Sequence, residues 1–135
     1  MQRYPWEQGV CAQALYEAGR EDICKEIIPV LKRTLEAMLN YQNGDGRLRD
    51  VMDDPDSFAD GASSMMMAAA IYRGNLKGYL DFGLDEAEKA YETVTSKIDE
   101  FGLIHEVSGC PDFVSEGTSA EAQAAYIMAS AWRRG

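Results

Sequence analysis

Three residues stand where side-chain chemistry on a polar ligand would be possible: Asp60, Glu116 and His105. Asp60 and Glu116 each close a loop of turn-forming and acidic residues, 53–61 (DDPDSFADG) and 110–117 (CPDFVSEG). An Ala-rich segment with helical spacing follows each loop. A carboxylate there either caps the helix, by accepting one of its free backbone N–H groups, or faces a ligand at the positive end of the helix dipole. The recurrence of both acids at matched positions favours capping, because catalytic residues seldom need to recur. The sole histidine, His105, is beside Glu106 in a loop. It could hydrogen-bond a sugar hydroxyl or serve in acid–base work near neutral pH, but an ordinary surface position is the favoured reading. Trp6, ahead of a helix, offers a ring on which a sugar could stack. Trp132, at helical spacing from Ala125 and Met128, reads as core.

Other chemistries lack their residues. One histidine makes no metal site, and no Ser-His-Asp arrangement can be assembled. Cys11, Cys24 and Cys110 have no metal-ligand spacing and read as buried or half-buried free thiols. No cofactor is expected. Thirteen Lys and Arg against 23 Asp and Glu give a net charge of −10, which excludes a phosphate-neutralising nucleic-acid surface. No apolar run approaches the roughly 20 residues of a membrane span, and no signal peptide is visible, so a cytoplasmic protein is expected.

The elements that position these residues come from a repeat. At an offset of 56, residues 46–72 match 102–128 at nine of 27 positions, where about two would be expected from residue usage. Asp60-Gly61 falls over Glu116-Gly117, Asp50 over Glu106, and Arg49 over His105. Asp50 and Glu106 lie on extended pieces, Leu48 to Met52 and Leu103 to Val107, and read as solvated. Apolar periodicity places helices from about Trp6 to Ala18, Arg20 to Tyr41 (through Pro29), Asp60 to Arg73, Leu84 to Ile98 and Thr118 to Trp132. Gly74 is the expected stop of the third. Thr118 and Glu121 have the form of a capping box for the last. The third and last segments, rich in Ala and Met, suit inner helices buried on most sides; the second and fourth are amphipathic, like outer helices. The expected fold is all-α: a single domain over 1–135 of about two and a half helical hairpins, from an α/α toroid. A compact orthogonal bundle is the alternative.

Three stretches resemble a known family. Gln42-Asn43-Gly44-Asp45-Gly46 followed by Asp53 to Ser64 is similar to "Q-x-x-D-G-x-W … D-x-P … E-x-S-x-S-A", and 113–124 (FVSEGTSAEAQA) to "G-T-S-x-E-G-Q-A". Tyr4-Pro5-Trp6-Glu7-Gln8-Gly9 is similar to "W-x-R-G-x-G-W". These are motifs of six-hairpin glycosidases, the unsaturated glycuronyl and rhamnogalacturonyl hydrolases of glycoside hydrolase families 88 and 105, in their C-terminal part.

The resemblance implies about half of an (α/α)6 barrel. It implies hydration of the 4,5 double bond of a terminal unsaturated uronic acid, with an aspartate as general acid and base and no metal. The family's catalytic aspartates lie in its N-terminal half. Gln8 stands where the family has an arginine, and glutamine cannot make a charged bidentate contact to a uronate. The functional expectation is thus a glycoside hydrolase-related protein acting on or binding unsaturated uronic-acid oligosaccharides, with Trp6, Gln8, Asp60, His105 and Glu116 as candidate binding residues. The alternatives are a non-catalytic carbohydrate-binding or scaffold module and a truncated fragment. Exposed apolar faces at the open ends of a partial toroid lead to an expected homo-oligomer.

Overall fold

A computed structural model describes residues 18–135; Trp6, Gln8 and Cys11 lie outside the described residues. The chain forms two units, Met1–Thr34 and Leu35–Gly135. The first is described only from residue 18. It holds the start of helix α1, Glu21–Leu39, which runs without interruption through Pro29. The second contains everything that follows.

In the second unit, helix α2 (Gly61–Leu76) packs against both α3 (Leu84–Thr95) and α4 (Ala120–Arg133). Its sequence explains this central place. Ala62, Met65, Met67, Ala68, Ala69, Ile71 and Tyr72 are all buried, and they spread round the helix rather than along one stripe. Helix α3 buries only Ala87, Ala90 and Val94, the single stripe of an amphipathic outer helix. The inner and outer characters read from composition therefore hold for this pair.

Helix α4 departs from expectation. It buries Ala122, Ala125, Ala129 and Ser130, while Ile127 and Met128 are 66% and 47% exposed. Its main partner is α2 alone, so one face is covered rather than most of the surface. Trp132 packs at the edge of the core, as expected, with the Arg73 guanidinium 4.9 Å above its ring. A polar cluster closes the α2–α3–α4 junction. The Tyr72 hydroxyl donates to Glu88 at 2.8 Å, Arg133 pairs with the same carboxylate, and Tyr91 stacks on Tyr126 at 5.8 Å.

Helix ends differ from the expected ones for local reasons. Helix α2 continues past Gly74 and stops at Gly78, whose φ of 71° is the left-handed geometry of a C-terminal stop. Gly74 serves packing instead: a Cβ there would meet the Leu80 side chain at 2.5 Å. Helix α4 is capped by Ser119, which accepts the Ala122 N–H at 3.2 Å, and not by Thr118.

The extended pieces become two short antiparallel ladders. Strand β1 (Leu48–Arg49) pairs with β2 (Ala59–Asp60), Leu48 opposite Asp60. Strand β3 (Val107–Ser108) pairs with β4 (Glu116–Gly117), Ser108 opposite Glu116. Each ladder leads into a helix, α2 and α4. The loop Gln42–Arg47 lies directly on α3: Gln42 donates to the Glu86 carbonyl at 2.9 Å, and the Thr93 hydroxyl donates to the Asp45 carbonyl at 2.6 Å. Gly46, at φ 91°, sits so close that a Cβ would be 2.8 Å from the Ala90 nitrogen.

Candidate functional site

The two ladders meet at the N-terminal end of α2, and Asp60 is the residue that joins them. It is 4% exposed. Its Oδ1 accepts the N–H groups of Ala62 at 3.0 Å and Ser108 at 2.8 Å, and its Oδ2 accepts the Ser63 N–H at 2.8 Å. Its carbonyl accepts the Ser64 hydroxyl, which in turn accepts the Leu48 N–H at 2.8 Å. Both carboxylate oxygens are thus occupied by backbone donors. The residue is a cap and a cross-brace; the capping reading of Asp60 describes what it does.

Glu116 does not share that role. It lies on β4, exposed, opposite Ser108, and the cap of its helix is Ser119, three positions further on. The sequence match at offset 56 aligns Asp60 with Glu116, but the helices align cap to cap at an offset of 119 − 60 = 59. The first strands share that offset, 107 − 48 = 59, so the three extra residues lie ahead of β3.

His105 is half-exposed, and its Nε2 is 2.7 Å from Asp99 Oδ2. Asp99 Oδ1 accepts the N–H groups of Phe101 and Leu103, both at 2.9 Å, closing the turn that the Ile98–Ile104 bridge flanks. The His105 hydrogen bond, with the Leu103 N–H, holds the Asp99 carboxyl below its ordinary range. The histidine is a side chain of this turn, and no contact joins it to Asp60 or Glu116.

Glu106 is not the solvated residue its place suggested. Its carboxylate bridges Lys97 Nζ at 2.8 Å and Arg47 at 2.6 Å, and those two cations keep its pKa low. Arg47 also pairs with Asp45 at 2.8 Å. Against the penalty of burial, the Arg47 N–H and guanidinium hold the Asp45 carboxyl low too. The Glu106 carbonyl accepts the Gly61 N–H at 2.9 Å, with its own backbone at a left-handed φ of 56°. The chain Asp45–Arg47–Glu106–Lys97 thus ties the first repeat to the second.

What remains accessible is the rim of the two ladders. Ser108 Oγ donates to Asp50 Oδ1 at 3.0 Å. Arg49 donates to the Ser57 carbonyl at 2.9 Å, using one of a guanidinium's five N–H groups. Phe113 in the β3–β4 loop is 38% exposed, at a φ of 60°. Sequence patterns gave Arg49, Ser108 and Phe113 no role: repeat matching set Arg49 over His105 without assigning it a contact, and helical spacing marks none of the three. Only the pairing of the ladders does. Rim cations and hydroxyls suit a polar, oxygen-rich ligand, and an exposed ring suits an apolar sugar face. Among the described residues, no group of three His, Cys, Asp or Glu lies where it could hold a metal, and no helix is long and apolar enough to cross a membrane. Cys110 is a free thiol, as expected, but is exposed rather than buried or half-buried.

No protein-family model and no curated protein matches the sequence. Solved structures do match the fold. A structure described as a possible member of glycoside hydrolase family 105, from Klebsiella pneumoniae, matches with a TM-score of 0.71 at 21% identity, over 84% of this chain and 33% of its own. A second possible member, from Salmonella enterica, matches with a TM-score of 0.69 at 20% identity, over 83% of this chain and 33% of its own. A family 105 glycoside hydrolase of C. acetobutylicum matches with a TM-score of 0.63 at 20% identity, over 81% and 38%. The chain spans about a third of the length of the structures it resembles. Its fold is therefore a stretch of the α/α toroid seen in family 105 glycoside hydrolases.

Proposed function

We propose that this chain is a segment of a glycoside hydrolase-related toroid whose ladder rim binds the unsaturated uronic-acid end of an oligosaccharide. The observation that carries the reading is the fold match with a TM-score of 0.71 over 84% of the chain. The motif resemblance at 42–64 and 113–124 supports it from an independent direction. The reaction implied is addition of water across the 4,5 double bond, after which the hemiacetal opens and releases the sugar. In this reading the segment supplies recognition. Arg49 contacts the uronate carboxylate, Ser108 a hydroxyl, and Phe113 a ring face, while Asp60, with both oxygens taken up by backbone N–H groups, does not act as the acid. That commitment of Asp60 also favours the second reading, a carbohydrate-binding module without its own catalysis.

Thermal unfolding of the chain with and without a 4,5-unsaturated uronic-acid disaccharide tests the proposal, because a ligand bound only by the native state raises the melting temperature. The expected result is a rise with the unsaturated sugar, smaller with its saturated counterpart and lost in Arg49→Ala. No rise at millimolar sugar overturns both readings. Loss of the double bond's ultraviolet absorbance on incubation would separate catalysis from binding.

A further inference from the structure

Glycine follows Asn or Asp at three places in the chain: Asn43-Gly44, Asp45-Gly46 and Asp60-Gly61. At such a step the glycine nitrogen can attack the preceding side-chain carbonyl and close a cyclic imide, because the attacking residue has no Cβ to obstruct it. The structure disarms two of the three. Asp60 has both carboxylate oxygens on backbone N–H groups, and the Gly61 N–H donates to the Glu106 carbonyl at 2.9 Å. Asp45 accepts the Arg47 N–H at 3.0 Å and its Nε at 2.9 Å, while the Gly46 N–H donates to the Asn43 carbonyl at 2.9 Å.

Asn43-Gly44 is different. The Asn43 side-chain amide and the Gly44 N–H make no hydrogen bond among the described residues. Gly44 is exposed, and a Cβ there would have nothing within 4 Å. The Asn43 backbone, by contrast, is held on both sides: its N–H donates to the Arg47 carbonyl at 2.7 Å, and its carbonyl accepts the Gly46 N–H. A fixed backbone beside a free side chain keeps the two reacting groups close together.

We propose that Asn43-Gly44 is a site of spontaneous covalent modification in the folded protein, where the turn itself promotes loss of the amide. Water takes the Gly44 N–H proton, and the nitrogen's electron pair forms a bond to Asn43 Cγ. The Cγ–Nδ2 bond breaks, and ammonia leaves with a proton returned by water. A water molecule then opens the imide. Cleavage at Cγ restores the ordinary main chain with an aspartate at this position; cleavage at the main-chain carbonyl leaves an isoaspartate. As the nitrogen loses its proton, negative charge spreads onto the Asn43 carbonyl oxygen, at which the Gly46 N–H is already aimed. Gly46 has no room to withdraw, since a Cβ on it would be 2.8 Å from the α3 backbone. A donor in place before the charge develops lowers the barrier. An isoaspartate lengthens the main chain by a methylene inside a turn that lies on α3. The Asp45–Arg47–Glu106 pairs then lose their geometry, and the tie between the repeats loosens. None of this depends on whether the ladder rim binds a sugar.

Peptide mapping by mass spectrometry tests it, on the full chain held in warm neutral buffer and, in parallel, unfolded in guanidinium. The native chain is expected to convert Asn43 at least as fast as the unfolded one, giving both aspartate and isoaspartate, with Asp45 and Asp60 unchanged. Gly44→Ala is expected to slow the native conversion at least about tenfold, because its Cβ crowds the attacking nitrogen. Circular dichroism of that variant checks that the helices are retained. The isoaspartate form, separated by ion exchange, is expected to unfold at lower denaturant than the unmodified chain. A native chain that keeps its amide while the unfolded one loses it overturns the proposal, since the turn then protects the site. So does conversion to aspartate alone, or a rate indifferent to Gly44→Ala, since neither passes through the imide.

Discussion

Asp60 accepts the backbone N–H of Ser108 at 2.8 Å across 48 positions of sequence, while the same carboxylate caps helix α2. One side chain thus holds a helix start and the neighbouring hairpin in register. The cost of burying its charge is offset by three N–H donors and the positive end of the helix.

Replacing Asp60 should therefore cost more than replacing the matched cap. Asp60→Ala is expected to lower stability by about 2–4 kcal/mol, from the lost cap at Ala62 and Ser63 together with the unsatisfied Ser108 N–H. Ser119→Ala, which removes a cap with one accepted N–H, should cost about 1 kcal/mol. Glu116→Gln should leave stability unchanged within about 0.5 kcal/mol, as an exposed substitution does. Urea unfolding followed by circular dichroism measures all three; equal effects at Asp60 and Glu116 would contradict the cap assignment.

Gly46 and Gly44 make a paired test of the loop that lies on α3. A Cβ at Gly46 meets the α3 backbone at 2.8 Å, and the residue has a left-handed φ of 91°. Gly46→Ala is expected to cost about 2 kcal/mol or more, through backbone displacement and strain. A Cβ at Gly44 has nothing within 4 Å. Gly44→Ala should be close to neutral, and denaturant midpoints for the two variants would show the contrast.

The ion-pair chain predicts the direction of acid sensitivity. Asp45 and Glu106 both have carboxyls held below their ordinary values in the folded protein. A depressed folded pKa contributes stability that is present above the unfolded value and is lost as pH falls through the folded one. Stability should therefore fall progressively below about pH 4.5, the unperturbed glutamate value. Glu106→Gln should lower stability near neutral pH and flatten the acid limb. Melting temperatures from pH 7 to pH 3 check this, and an unchanged acid limb would separate Glu106 from the effect.

His105 supplies a local control. Its ring is half-exposed and hydrogen-bonded to Asp99 in a turn also closed by backbone bonds. His105→Ala should leave the melting temperature nearly unchanged in the absence of sugar. Because the ring is a candidate sugar contact, the same variant is expected to show a reduced ligand-induced rise in melting temperature, and an unchanged rise would leave the ring to its turn. A calorimetric titration gives the second measurement directly.

Local rules were enough for much of this molecule. The repeat, the helical nature of 61–76, 84–95 and 120–133, the apolar crowding of α2 and the capping role of Asp60 all follow from spacing and residue type within a few positions. Such features depend on backbone hydrogen bonds and side-chain periodicity that act over one or two turns. Tertiary structure decided the rest. Glu106 looked solvated until Arg47, 59 positions away, was brought to its carboxylate. Ser108 and Arg49 gained their rim positions through ladder pairing, and Glu116 fell on β4 opposite Ser108 while Ser119 took the cap. In α2 and α4, similar Ala-rich helices meet different surroundings: one is packed between two neighbours and the other mainly against one. Burial depends on what lies across a contact, and contacts between distant segments are set by how the whole chain packs rather than by the residues beside them.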